Sequence, residues 1–250
     1  MRSLMTRVQL VGALGALLFG AANAPASADD RGVAGSTVFL DPGHNGVNDS
    51  TLTMQVPNGR GGTKDCQTSG TSSDDGYPEH ALNWDVVQRI QGILEGLGVH
   101  TVLSRPSDSG VGPCVDQRAA LANAVHPDAI VSVHADGGPA WGHGFHVNYS
   151  APPVYEVQSG PAINLAHTMR DAMLAAGFSE SDYVGSAGLF GRADLAGLNL
   201  AQFPAVLVEM GNMRNSADAA NMESPDGRQK YAAAIADGVI TYLRNQGNHG

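Results

Sequence analysis

Three side chains able to bind a metal or move a proton stand at the ends of short apolar runs. His44 follows the run at residues 36–41, in Asp41-Pro42-Gly43-His44. His134 closes Ile130-Val131-Ser132-Val133, and Glu209 closes Val206-Leu207-Val208. Runs of this length, rich in branched residues, read as buried strands. Glu79 opens a long helical pattern, and a helix start borders the same sheet edge in a strand-to-helix connection. Two imidazoles and one carboxylate, with a position left for water, are the ligand set of a catalytic zinc. Zinc lowers the pKa of water to about 7 and so supplies hydroxide at neutral pH. A carboxylate outside the ligand set then takes the proton and passes it to a leaving nitrogen. On this reading His44, Glu79 and His134 hold Zn2+, and Glu209 is the base and acid.

Each residue alone has a plainer explanation. A histidine after a strand is often only hydrogen-bonded, and Glu79 suits a helix N-terminus through the dipole. Glu209 is hardest to dismiss, because an acid ending an apolar strand must be paired or functional. The ligands are distant in sequence, and no His-Glu-x-x-His helix joins them. His100, His126, His143, His146, His167 and His249 are read as non-ligands. His143 and His146 resemble a metal pair, but odd spacing on an alternating strand points them to opposite faces. Arg105, Asp108 and Arg118 read as structural ion pairs. Asp41 and Asn48 read as partners that orient His44, with turn capping an equal alternative for Asp41.

The elements that must position these groups follow from periodicity. Residues 79–97 are helical, with Trp84, Val87, Ile90, Ile93, Leu94 and Leu97 at three- and four-residue spacing and Gly98 as a stop. Strands are expected at 36–41, 99–103, 129–133, 144–149 and 205–208, and further helices at 116–124, 161–176 and 230–244. Residues 45–78 form a long polar loop, of the kind that is functional or disordered. Residues 178–203 carry no readable period. Strands alternating with helices give an α/β sheet, largely parallel and covered on both faces. Sites in such sheets form beyond the carboxyl ends of the strands, where the reactive groups stand.

Arg2 and Arg7, an apolar run over 8–22 and small-residue exits at Ala24 and Ala28 make residues 1–28 a secretory signal peptide, too short in its apolar part for a stable membrane anchor. Residues 29–250 then form a single catalytic domain in an exported protein. The whole chain carries −10, and the mature part about −12, because the signal removes two arginines and no acid. That balance excludes nucleic acid as a partner, since phosphate binding needs clustered Lys and Arg. A monomer is the default. Two cysteines, Cys66 and Cys114, in an exported protein read as one disulfide; as metal ligands, neither has a second Cys or His at ligand spacing.

Five ordered segments resemble one family. They are Val38-Phe39-Leu40-Asp41-Pro42-Gly43-His44, Glu79-His80-Ala81-Leu82-Asn83, Leu103-Ser104-Arg105-Pro106-Ser107-Asp108, Ser132-Val133-His134-Ala135-Asp136, and Pro204 to Asn212 with Asn215. They look like motifs of the zinc-dependent N-acetylmuramoyl-L-alanine amidases of the third type. The resemblance spans about residues 36–244. It implies zinc on His44, Glu79 and His134, a catalytic Glu209, and a three-layer α/β/α sandwich with a mostly parallel, about six-stranded sheet. It also implies hydrolysis of the amide between the lactyl group of N-acetylmuramic acid and L-alanine, with peptidoglycan or its fragments as substrate. Asn212 departs from the family's Phe, Arg214 from a common Ser, His80 from a Lys, and Asn199 lies near a frequent Arg. A zinc peptidase acting on wall peptides and a wall-binding domain with a dead site are the competing readings. All four site positions are filled, which favours an enzyme.

Overall fold

The computed structural model describes residues 32–247; the expected signal segment lies outside them. The strands are β1 (Thr37–Pro42), β2 (Gln55–Pro57), β3 (Thr63–Asp65), β4 (His100–Leu103), β5 (Ala129–Asp136), β6 (His146–Ser150), β7 (Leu189–Arg192) and β8 (Ala205–Asn212). The helices are α1 (Glu79–Gly96), α2 (Val115–Ala124), α3 (Pro161–Ala175), α4 (Ala196–Leu200), α5 (Ser216–Glu223) and α6 (Pro225–Gly247).

Six strands form one sheet in the order β4-β1-β5-β8-β6-β7. The first four run parallel to one another, while β6 lies antiparallel to β8 and carries β7 parallel beside it. Alternation along the strands sorts side chains onto two faces. Val38, Leu40, Val131, Val133, Val206 and Val208 pack on one face in a large core with α1, α3 and α6. Phe39, Ile130, Ala205 and Leu207 pack on the other with Ala122 of α2 and Leu198 of α4. The sandwich is therefore thick on one side and thin on the other.

The α1 stripe that reaches zero exposure is Leu82, Val86, Val87, Ile90 and Leu94. Trp84 and Ile93 stay half-buried; Trp84 receives the Arg105 guanidinium 5.1 Å from its ring centroid. Gly98 ends the helix in a left-handed conformation (φ 79°), a geometry glycine adopts without strain. α6 begins at Pro225, earlier than the apolar pattern indicates, because proline is suited to the first helical turn. β7, α4 and α5 are too short for periodicity to detect, and β2 pairs with β3 as a small hairpin inside the polar loop.

Cys66 and Cys114 are disulfide-bonded across 48 residues, joining the end of the hairpin to the start of α2. Closing a loop of that size removes chain entropy from the unfolded state worth about 4 kcal/mol. A Cys66→Ser, Cys114→Ser double variant is expected to lose about 2–4 kcal/mol of unfolding free energy in urea titrations. Reductant should lower the parent to the same value and leave the variant unmoved. Among the described residues, no helix is long and apolar enough to cross a membrane.

Candidate metal centre

β1, β5 and β8 lie side by side, so their carboxyl ends share one rim. β5 and β8 extend past the expected ends, to Asp136 and Asn212, so His134 and Glu209 sit within strands and directly in register. Register partners point to the same face. His44 follows β1 on that rim, and Glu79 enters from the first turn of α1. His44 Nε2 lies 3.0 Å from Glu79 Oε2, His134 Nδ1 lies 3.0 Å from Glu79 Oε1, and the two ring nitrogens are 3.2 Å apart. A tetrahedral site with bonds of about 2.0–2.1 Å has edges of about 3.3 Å, close to these separations. Each of the three residues offers one donor atom, all within 4.8 Å of one another. The residues expected to hold a metal are thus brought together, and their donor chemistry fits zinc.

The surrounding chain fixes each donor. His44 Nδ1 donates to the Thr68 carbonyl at 2.8 Å, which leaves Nε2 with a free lone pair; such a partner sets the tautomer of a metal-binding imidazole. Glu79 accepts from the Thr71 and Ala135 amides and from Asn83. The polar loop therefore builds the site from behind through Thr68 and Thr71. A Cβ on Gly43 would come within 2.2 Å of the His134 ring, so only glycine lets the β1 turn approach so closely. Burial alone would lower the His44 imidazole, but its hydrogen bond and charge pairing with Glu79 outweigh that and raise it. His134 is held below its usual range by burial, despite Glu79. Burial pushes Glu79 upward, yet the two histidines dominate and hold its carboxyl well below the carboxylate range.

His44 has φ 63°, a left-handed conformation uncommon for a non-glycine residue and typical of sites where surroundings impose it. Arg118 supplies the constraint. Its guanidinium donates to Asp41, the Pro42 carbonyl, the His44 carbonyl and Asn45. Arg105, 1% exposed, donates to the Pro42 carbonyl and pairs with Asp108. Both arginines are structural, as expected. Asp41 takes hydrogen bonds from Ser104 and Ser132 and pairs with Arg118. It thus acts on His44 through the backbone clamp. Burial would raise its carboxyl, but Arg118 and the two hydroxyls together depress it well below the usual range.

Glu209 lies beside this cluster. Its Oε2 is buried and has no hydrogen-bond partner among the described residues. Burial, reinforced by the charges of Glu79 and Asp136, pushes its carboxyl well above the ordinary value, against the pull of Arg192. A carboxyl tuned upward is suited to exchanging protons near neutral pH. The same face carries a cavity of about 130 Å³ lined by Asp41, His44 and His134 and by Phe39, Ile130 and Leu207, a low-dielectric flank that strengthens charge interactions.

His146 is not in the metal cluster, as the odd spacing indicates. It is nevertheless the antiparallel register partner of Glu209, buried, with its Nδ1 unpartnered. Burial pushes its pKa down to about 4. A neutral imidazole beside Glu209 was not legible in the sequence, because it depends on β6 pairing with β8. Tyr183, in the unreadable 178–203 stretch, donates to Asp136 at 2.9 Å and stands edge-on to His146. Three departures from the family pattern have structural roles. His80 pairs with Asp108. Asn199 accepts from Arg60 of the hairpin turn and from Ser150. Asn212 ties down the loop after β5.

The model of the N-acetylmuramoyl-L-alanine amidase family matches residues 38–241. The chain is 58% identical over 222 residues to N-acetylmuramoyl-L-alanine amidase Rv3717 of Mycobacterium tuberculosis, covering 89% of this chain and 92% of that one. It superposes on the amidase Ami1 of Mycobacterium smegmatis with a TM-score of 0.85 at 58% identity, covering 86% of this chain and 99% of that one. The apo form of Ami1 from Mycobacterium abscessus gives 0.84 at 59% identity, over 84% and 100%.

Proposed function

The chain belongs to the N-acetylmuramoyl-L-alanine amidase family, and we propose that it works with one zinc ion on His44, Glu79 and His134 and with Glu209 as general base and acid. The enzyme hydrolyses the amide joining the lactyl group of N-acetylmuramic acid to L-alanine in peptidoglycan. The observation that carries the proposal is the meeting of two imidazole nitrogens and a carboxylate within 4.8 Å, next to Glu209, whose Oε2 is buried and which stands in register with His134.

Zinc at these donors supplies Lewis acidity, which brings water toward a pKa of about 7 and polarises a carbonyl. The rest is done by the chain. Thr68 holds the proton of His44 on Nδ1, which turns Nε2 to the site, and burial disfavours the charged form of His134. Glu79 contributes the negative charge of the ligand set. Glu209 accepts the proton of the attacking water on its carboxylate and delivers it to the departing L-alanine nitrogen. The apolar flank under the histidines keeps bulk water from competing. Residues 29–250 as one catalytic domain, exported by the segment 1–28, belong to the same proposal, since the polymer lies outside the cytoplasmic membrane and the disulfide persists in an oxidising compartment.

The test is product analysis. Zinc-loaded protein given purified peptidoglycan is expected to release stem peptides with a free L-alanine amino group. A chelator should abolish the release and added zinc restore it. Cleavage inside the stem, with the lactyl amide intact, would refute the amidase reading in favour of a peptidase.

A further inference from the structure

We propose that Trp141 is a stacking platform for a sugar ring of the glycan strand, next to the N-acetylmuramic acid whose amide is cut; this rests on the amidase reading above. Trp141 is 70% exposed, while the other large exposed hydrophobics reach 48% at most. A lone exposed apolar side chain needs no explanation by itself. What distinguishes Trp141 is how firmly its loop is held. The buried Asn212 amide donates to the carbonyls of Pro139 at 2.7 Å and Gly142 at 2.8 Å, and Asn215 donates to Ala140. The His143 amide is taken by Asp182 and the Gly144 amide by Asp218. The Tyr183 ring packs against Gly138 and Gly142 so closely that a Cβ on either would fall 2.6 Å from it. The backbone on both sides of Trp141 is pinned, and its ring is the most exposed large apolar side chain among the described residues.

The loop's place fits the substrate. It leaves β5 just after His134 and is tied to β8 through Asn212, three residues past Glu209. A pinned aromatic at this rim has its ordering cost met by the fold, which favours binding. The ring face is electron-rich, and the axial C–H bonds of a pyranose are polarised positively, so the two faces attract as an aromatic face attracts another ring's edge. A protein partner would need a wider apolar patch than the exposed Pro139, Ala140 and Trp141 offer, and His143 beside them pairs with Asp182. An acidic chain is poorly matched to an anionic lipid surface. The Asn at 212, in place of the Phe expected from the resemblance, supplies the clamp.

The experiment compares Trp141→Ala and Trp141→Phe with the parent, all zinc-loaded, on polymeric peptidoglycan and on N-acetylmuramoyl-L-alanyl-D-isoglutamine, which lacks a neighbouring sugar. Trp141→Ala is expected to raise KM on the polymer about three- to tenfold, with kcat, zinc content and KM on the fragment unchanged. Trp141→Phe should recover most of the loss. In a Trp84→Phe background, N-acetylglucosamine oligosaccharides free of peptide should change the fluorescence of the remaining tryptophan, a readout independent of turnover. An unchanged KM on the polymer, or an equal loss on polymer and fragment, overturns the platform. Absence of any stem-peptide release by the parent overturns the amidase reading instead, and the fluorescence titration then still decides whether the ring meets sugar.

Discussion

Glu209→Gln is expected to lower kcat by about 10²–10⁴-fold, the range for a positioned acid or base, while bound zinc stays at the parental stoichiometry. Glutamine keeps the shape of glutamate and cannot accept and return a proton. The usual objection, that such a variant loses activity by unfolding, is weak at this position. Glu209 Oε2 has no hydrogen-bond partner among the described residues, so the substitution breaks no bond there. Its charged form is already disfavoured by burial and by Glu79 and Asp136, so a neutral side chain relieves a repulsion. The unfolding midpoint should therefore hold or rise. Metal analysis, turnover on a muramyl peptide and thermal unfolding of one preparation check all three points. A fully active Glu209→Gln protein would show that the proton passes elsewhere, with His146, in register across from Glu209, as the next group to test.

The parts of this site that were legible in the sequence are those whose placement follows from strand ends. His134 and Glu209 each terminate a run of branched apolar residues, and the rule that α/β sites gather beyond carboxyl ends is enough to bring them together. Glu79 follows from the helix start. The disulfide was legible because two cysteines allow one intramolecular pair. What stayed hidden depends on pairing between distant segments. The order β5-β8-β6 makes His146 a neighbour of Glu209, and no local pattern encodes that order. Thr68 supplies a backbone carbonyl, which any residue type could have done. Arg118 was identifiable as an ion-pairing residue, but its grip on the carbonyls of residues 42 and 44 requires the turn conformation that positive φ at His44 creates. β7 and α4 span four and five residues, less than the window in which a period can be recognised.

His134→Ala is expected to lose zinc and turnover together, which separates a ligand from the proton-transferring residue. Replacing a partner that merely orients a ligand costs about 10–100-fold in metal affinity, and removal of the ligand itself should exceed that. The geometry explains why the remaining residues do not compensate. His44 is fixed by Thr68 and by the Arg118 clamp on its own carbonyl, and Glu79 is fixed by the Thr71 and Ala135 amides, so neither can shift to close the gap. Glu209 and His146 lie on neighbouring strands, but a second anionic ligand is disfavoured at Glu209 by burial and by the charges of Glu79 and Asp136. Because metal that binds only the folded state adds to its stability, zinc should raise the parent's unfolding temperature and leave that of His134→Ala nearly unchanged. That measurement requires no substrate. A His134→Ala protein that retains one tightly bound zinc and the parental thermal shift would exclude residue 134 from the ligand set, and with it the proposed single-ion site.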